Sequence, residues 1–189
     1  MAPRTPARER ILAAAARRFY ADGIAATGID AVIGEAGVAK MSLYNNFDGK
    51  SALVEAYIDV RHREWMDLHR LRAATATTPR DRVLAVFDAY LDHAKGDYER
   101  GFRGCGLLNA AGELTADDPA RAAVLRHKTE VQALLRAALR EMTDDARAEA
   151  LTEHMAFLLE GSMSLAGLER TEDRIVHARA LAEGLVDAL

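Results

Sequence analysis

Apolar residues recur every three or four positions through nearly the whole chain, the spacing of one buried face on an α-helix. Ile11, Leu12, Ala15, Ala16 and Phe19 form the first stripe, opened by Thr5-Pro6 and closed by Gly23. Ile29, Val32, Ile33 and Ala36 form the second, and Gly37 stops it. A third, short helix is predicted from Lys40 to about Phe47, with Leu43 and Phe47 inward. After a turn at Phe47 to Lys50, a long fourth helix carries Leu53, Tyr57, Val60, Trp65, Leu68 and Leu71. The small-residue stretch 73–79 is a loop. The fifth helix runs from Arg80 to about Tyr98 on Val83, Phe87, Tyr90, Leu91 and Ala94. Gly96, Gly101, Gly104 and Gly106 then break the chain, and a short sixth helix spans Gly104 to Leu114. The seventh starts at Asp117-Asp118-Pro119 and reaches about Met142, its acids suited to the positive end of the helix dipole. Thr143-Asp144-Asp145 caps the eighth, and the ninth starts near Thr171. The expected fold class is all-α with about nine helices.

The stretch from Thr27 to Lys50 organises the rest. Thr27-Gly28-Ile29-Asp30 reads as a capping-box-like start, a hydroxyl with a carboxylate three residues on. Gly37 suits a left-handed C-cap. Two short helices joined by a tight glycine turn make a helix-turn-helix, although a plain helical hairpin has the same spacing. The outward residues of the second helix, Lys40, Met41, Ser42, Tyr44, Asn45 and Asn46, include hydrogen-bonding groups and no carboxylate. That is the surface that DNA phosphates and base edges require.

The segment G-V-A-K-M-S-L-Y-N-N-F-D-G-K, with Ala36-Gly37-Val38, Leu43-Tyr44, Phe47, Lys50 and Leu53 in register, resembles the helix-turn-helix signature of the TetR family of one-component transcription regulators. The motif covers about a quarter of the chain. Two positions depart from the pattern: Met41 stands where Gly or Pro is usual, and Asn46 where His or Tyr is common. Both lie on the expected DNA face, so an operator sequence is not transferable. Gly104 to Glu113, G-C-G-L-L-N-A-A-G-E, is similar to a segment of one branch of the same family.

The resemblance implies a DNA-binding domain over 1–50 and a ligand-binding and dimerisation domain over 51–189. Thr27 and Gly28 are expected to touch phosphate through hydroxyl and backbone N–H. Lys40, Tyr44 and Lys50 are expected to clamp phosphates, while Ser42, Asn45 and Asn46 read base edges and Met41 meets a thymine methyl. Arg4, Arg8 and Arg10 could reach phosphate or minor groove, or form a solvated basic end. In the family, a small-molecule cavity lies among the middle helices. Its candidate lining here is Trp65, Phe87, Tyr90, Phe102, Cys105, Asn109, Met155, Leu159 and Met163, with Met66, Leu91 and Leu108 beside them; plain core is the competing reading for each. Tyr90, His93, Asn109 and Glu160 are polar enough to orient a ligand.

The last two stripes are Leu151, Met155, Leu158, Ser162 and Leu165, then Ile175, Ala178, Ala182 and Leu185. They step 3-4-3-4, a narrow helix-packing seam, with small residues at Gly161, Ser162, Ser164 and Ala166. With the resemblance, they are expected to pair with a second copy as a four-helix bundle; internal core is the alternative.

Composition adjusts this picture. Half of the 189 residues are apolar and 6 % aromatic, favouring helices over sheet. The net charge of −4 looks unsuited to DNA, but residues 1–72 hold 11 Lys/Arg against 9 Asp/Glu, net +2, and residues 73–189 hold 14 against 20, net −6. No apolar run approaches the ~18 residues of a membrane span. The N-terminus lacks a signal-peptide core, and one cysteine allows no intrachain disulfide, so a reducing cytoplasm is expected.

No catalytic motif is present, and no cofactor or metal is expected; His62 and His69 lack a completing cluster. Cys105 has three readings: buried apolar filler, pocket residue, or a thiol sensor near a helix N-terminus responding by adduct, sulfenic acid or intersubunit disulfide. The functional expectation is a homodimeric, ligand-released repressor on a palindromic operator, with an unknown small-molecule effector and no membrane partner. A helical ligand-binding module without DNA recognition, or a Cys105 thiol sensor, is the alternative.

Overall fold

The computed structural model describes residues 5–96 and 98–189, so the expectation for Arg4 lies outside the described residues. Among them the chain forms nine α-helices and no strand. These are α1 Ala7–Asp22, α2 Ile29–Ala36, α3 Lys40–Tyr44, α4 Lys50–Ala73, α5 Pro79–Ala94, α6 Gly106–Glu113, α7 Pro119–Leu139, α8 Asp145–Glu169 and α9 Asp173–Asp187. None of these helices is long and apolar enough to cross a membrane.

The chain divides into two compact units, one of residues 1–62 with 106–124, the other of 63–105 with 125–189. The first unit takes in α6, a helix more than forty residues further along the chain. In it, α1 packs on α2, α3 and α6. Its core is Ile11, Phe19, Val32, Leu43, Leu53, Tyr57 and Leu107, all buried. Phe19 meets Tyr57 edge-on at 5.5 Å, the favoured geometry of an aromatic pair. Glu113 at the end of α6 accepts the backbone N–H groups of Ile24 at 3.1 Å and Ala25 at 2.7 Å.

Helix ends follow local chemistry, not always as the sequence suggested. Thr78, unforeseen as a cap, closes a reciprocal capping box with Asp81, and Asp144 caps α8 by accepting from Arg147 N–H at 2.9 Å. Pro6, not Thr5, is the N-cap of α1, without a side-chain bond. Thr27 is not the cap of α2. Gly28 holds that place, and the Thr27 hydroxyl turns back to donate to the Gly23 carbonyl at 2.6 Å.

In the second unit α8 packs on α9, and α5 on both. The core joins Trp65, Phe87, Tyr90, Leu135, Leu151, Met155, Leu159, Met163, Ile175, Ala178 and Ala182. The loop before α6 lies against the backbone of α8. A Cβ on Gly167 would come within 2.5 Å of the Gly104 nitrogen, and Gly104 itself holds φ +81. Glycine at both positions is what the contact requires.

Most residues of the expected dimer seam lie in this core, as the internal-core alternative has it. Leu151, Met155, Ser162, Ile175, Ala178 and Ala182 are buried within a single chain, and Leu158 and Leu185 half-buried against the same core. The 3-4 stripes are used internally because α9 and α5 cover that face of α8. A different stripe is left outside: Phe157, Gly161, Ser164, Leu165 and Leu168 are exposed at helical spacing on α8, with Val176 and Leu181 exposed on α9. Of the expected seam, Leu165 belongs to it.

Candidate nucleic-acid interface and ligand site

The polar helix and its support stand in the first unit. Gly37 ends α2 in the left-handed region at φ 60, its N–H bonded to the Gly34 carbonyl, while Val38 N–H bonds to Ile33. This turn sets the entry of α3. The Nη2 group of Arg10 donates to the carbonyls of both Ala36 and Gly37, the latter at 2.7 Å. Its cation thus caps the C-terminus of α2, where the helix dipole favours positive charge. Arg10 therefore serves the fold through its Nη2 group. Arg8 lies over the Phe47 ring at 5.2 Å, an exposed cation on an aromatic face. Arg17 and Arg18 grip Glu35 on α2, Arg17 at 2.7 Å. Burial works to raise the Glu35 carboxyl, but the two arginine hydrogen bonds outweigh it, so its pKa lies below the ordinary 4.5.

Leu43 and Phe47 anchor α3 inward. Lys40, Met41, Tyr44, Asn45 and Asn46 are exposed, Met41 at 68 % and Tyr44 at 49 %, and Ser42 is half-buried. Lys40 pairs with Asp30 across the turn at 3.0 Å, which raises the lysine pKa. The Asn46 amide donates to the Ser42 carbonyl at 2.7 Å, fixing its side chain along the helix. Lys50, half-buried, opens α4. Gly28 is exposed at the head of α2, whereas Thr27 is buried and its hydroxyl faces the Gly23 and Arg18 carbonyls, which argues against the phosphate contact expected of that hydroxyl.

The second unit holds a partly buried polar cluster that the sequence showed only in part. Lys128 on α7 donates to Glu160 Oε1 on α8 at 2.6 Å, to Tyr90 Oη on α5 at 3.3 Å and to Cys105 Sγ at 3.6 Å. Burial lowers the Lys128 pKa, and the surrounding Tyr90, Cys105 and Glu160 more than reverse it, so the ammonium stays charged. Burial, the largest influence on Tyr90, pushes its phenol up, keeping it neutral. Trp65 packs edge-on against Tyr90 at 5.3 Å and His127 at 5.4 Å, and stacks on His69 at 5.6 Å. Phe102 and the half-buried Cys105 adjoin this core.

Of the expected ligand residues, Trp65, Phe87, Tyr90, Phe102, Cys105, Met155, Leu159 and Met163 fall in the second unit, and Asn109 in the first with α6. Phe87, Met155, Leu159 and Met163 are fully buried in the core. Tyr90, Cys105 and Glu160 converge on Lys128, a residue the sequence did not mark: a lysine between apolar turns of a helix reads as a surface charge. A separate open groove of about 570 Å³ on α7 and α8, lined by Gln132, Glu149, Glu153 and Phe157 among others, contains none of the expected ligand residues.

Comparison with known proteins agrees with this arrangement. Residues 11–57 match the family model described as bacterial regulatory proteins, tetR family, and residues 79–182 match the tetracyclin repressor-like C-terminal domain. The TetR-family regulator SCO4454 of Streptomyces coelicolor is 30 % identical, with a TM-score of 0.88 over 98 % of this chain and 96 % of its own. A TetR transcriptional regulator of Chloroflexus aurantiacus shares the fold, with a TM-score of 0.83 at 24 % identity over 96 % and 94 % of the two chains. The transcriptional activator FasR of Mycolicibacterium smegmatis is 34 % identical over 104 residues, 53 % of this chain and 46 % of its own, so the match spans about half of that relative. With a helix-turn-helix whose outward face is polar and free of carboxylates, and with both family models matched in order, the chain belongs to the TetR family of DNA-binding transcriptional regulators.

Proposed function

We propose that the protein is a homodimeric, ligand-released repressor of a palindromic operator. The observation that carries the reading is the outward face of α3 and the turn after it, which present Lys40, Met41 and Tyr44, then Asn45 and Asn46, to solvent, with Leu43 and Phe47 buried beneath them. Two such helices enter successive major grooves about 34–36 Å apart. Lys40, Tyr44 and Lys50 hold phosphates, joined by the backbone at Gly28. Asn45, Asn46 and Ser42 read base edges, and Met41 packs on a thymine methyl.

Dimerisation uses the exposed stripe of Phe157, Leu165 and Leu168 with Val176 and Leu181, since the other stripe is filled by its own chain. A contiguous apolar face of this kind is covered in soluble oligomers. The effector binds in the cytoplasm to the second unit around Trp65, Tyr90 and Cys105. It favours one spacing of the two reading heads by moving α4, and it acts only as far as it binds that spacing better.

Selection of bound sequences from random duplex DNA, followed by an electrophoretic shift of the winner across salt, tests this. An enriched palindrome bound with a steep salt dependence is expected. Binding that is weak and equal on all sequences overturns the reading. The match to FasR, an activator, favours a second reading in which the same binding recruits transcription. A reporter behind the selected operator decides between them: repression lowers output when the protein is expressed, and activation raises it.

A further inference from the structure

Two polar atoms beside the Lys128 cluster are buried without a hydrogen-bond partner: Trp65 Nε1 and Glu160 Oε2. Trp65 is only 4 % exposed. The Glu160 side chain is 33 % exposed overall, with its Oε2 atom enclosed. An enclosed donor or acceptor left unmade is costly, so each such atom marks a place where a partner is due. Here one is a donor and the other an acceptor, and both border Tyr90. The Trp65 ring lies 5.3 Å from the Tyr90 ring, and Tyr90 Oη lies 3.5 Å from Glu160 Oε1.

From this geometry we infer that the effector is an uncharged aromatic compound bearing a hydroxyl or amide group. This deepens, and rests on, the reading of the second unit as the effector domain. The polar group of the ligand donates to Glu160 Oε2 and accepts from the Trp65 indole N–H. A hydroxyl or an amide does both; a ketone, an ether or a hydrocarbon cannot donate. The charge of the ligand is set by the cluster itself. Lys128 and Glu160 already neutralise one another at 2.6 Å, and the three donors of Lys128 are taken up by Glu160, Tyr90 and Cys105. An anionic ligand would face the Glu160 carboxylate, and a cationic one the Lys128 ammonium, each a buried charge without its own counter-ion. Aromatic walls from Trp65, Tyr90 and His127, with Phe102 in the same core, favour a flat ring set edge-on or offset against them.

Trp65 is the sole tryptophan of the chain, so the site carries its own spectroscopic label. The test uses four probes of one shape: 2-naphthol, naphthalene, 2-naphthoate and 2-naphthylmethylammonium. Affinities are measured by calorimetry near pH 7.5, and Trp65 emission checks that binding is at this site. 2-Naphthol is expected to bind at least tenfold more tightly than the other three. Trp65→Phe should weaken 2-naphthol several-fold and leave naphthalene unchanged, as loss of one hydrogen bond predicts. Glu160→Gln leaves Lys128 without its counter-charge, so the preference should pass from 2-naphthol to 2-naphthoate. A misfolded variant loses all four probes and cannot produce that exchange. Charged probes binding the native protein as well as 2-naphthol, a Glu160→Gln protein with unchanged preference, or no binding by any probe would each overturn the inference. The same probes are added to the operator complex. Release by 2-naphthoate alone keeps the regulator reading and refutes the ligand class. 2-Naphthol bound as expected, with no effect on DNA binding, keeps the binding site and refutes its role as the effector site.

Discussion

Glu113 is the residue whose removal tests the construction of the reading head most directly. It stands at the end of α6 and holds the loop between α1 and α2 through Ile24 N–H at 3.1 Å and Ala25 N–H at 2.7 Å. Hydrogen bonds to a charged acceptor contribute about 1.5–3 kcal/mol each in protected sites. Glu113 is exposed, so solvent screening brings this down to about 1 kcal/mol per bond. Glu113→Ala should therefore destabilise the first unit by about 2 kcal/mol, a fall in melting temperature of about 4–8 °C for a chain of this size. Scanning calorimetry with far-ultraviolet circular dichroism reads the loss. Emission from Trp65, which lies in the second unit, should report a smaller change if the two units melt separately. Glu113→Gln keeps one acceptor and loses the charge, and should fall midway. A second substitution locates the effect: a Cβ on Gly23 would lie 3.0 Å from Glu113 Oε1, at φ +92. Gly23→Ala should thus cost less in the Glu113→Ala background than in the native chain, because part of its clash is gone. A melting shift below about 1 °C for Glu113→Ala, or strictly additive substitutions, would refute the claim that this carboxylate ties α6 to the head.

Asp30→Asn removes the partner of Lys40 and a negative charge beside the DNA face; operator affinity should rise several-fold and its salt dependence steepen, read by electrophoretic shift at three ionic strengths. Gly167→Ala would drive a methyl into the backbone at Gly104 and Arg103, so it should lower stability by about 1–3 kcal/mol in urea unfolding despite the better helix propensity of alanine. His69, stacked on Trp65, has its pKa pushed below the ordinary 6.5 by burial, so the unfolded chain binds its proton first. Stability from this group is full above pH 6.5 and falls as the pH drops towards the folded value; urea midpoints of His69→Phe should lose that part of the pH dependence, and equal slopes in the two proteins would refute it.

Helical periodicity fixed what could be fixed locally. Leu43 had to face in and Met41 and Tyr44 out, because a five-residue helix has one face to bury, and Phe47 in the turn that follows is buried beside it. Thr27 was misread for an equally local reason. A hydroxyl before a helix can bond forward to the first turn or back to the preceding one, and here the Gly23 carbonyl lay in reach. Arg10 looked like part of a basic end because its acceptors, Ala36 and Gly37, are 26 and 27 residues away. The Lys128 cluster was illegible on the same grounds: its partners Tyr90, Cys105 and Glu160 come from three other segments, up to 38 residues distant.

The exchange of faces on α8 has a further consequence. A 3-4 stripe declares that a face will be covered, never by what. Helix α8 carries two such stripes, one through Leu151, Met155, Ser162 and Ala166, the other through Phe157, Gly161, Leu165 and Leu168. Its own chain covers the first with α9 and α5. The second keeps Phe157 at 66 % and Leu168 at 81 % exposure in a single chain, alongside Val176 and Leu181. Burying one such side chain is worth about 1.5–3 kcal/mol, and a two-fold interface counts each residue twice. The small Gly161 and Ser164 in the same stripe let two backbones approach. Substitutions Phe157→Asp and Leu168→Asp should therefore give a folded monomer, seen as halved mass in light scattering with an unchanged dichroism spectrum. Met155→Asp, on the inner stripe, should instead unfold the unit. If the outer pair leaves a dimer intact, the second stripe is not the face that the partner covers.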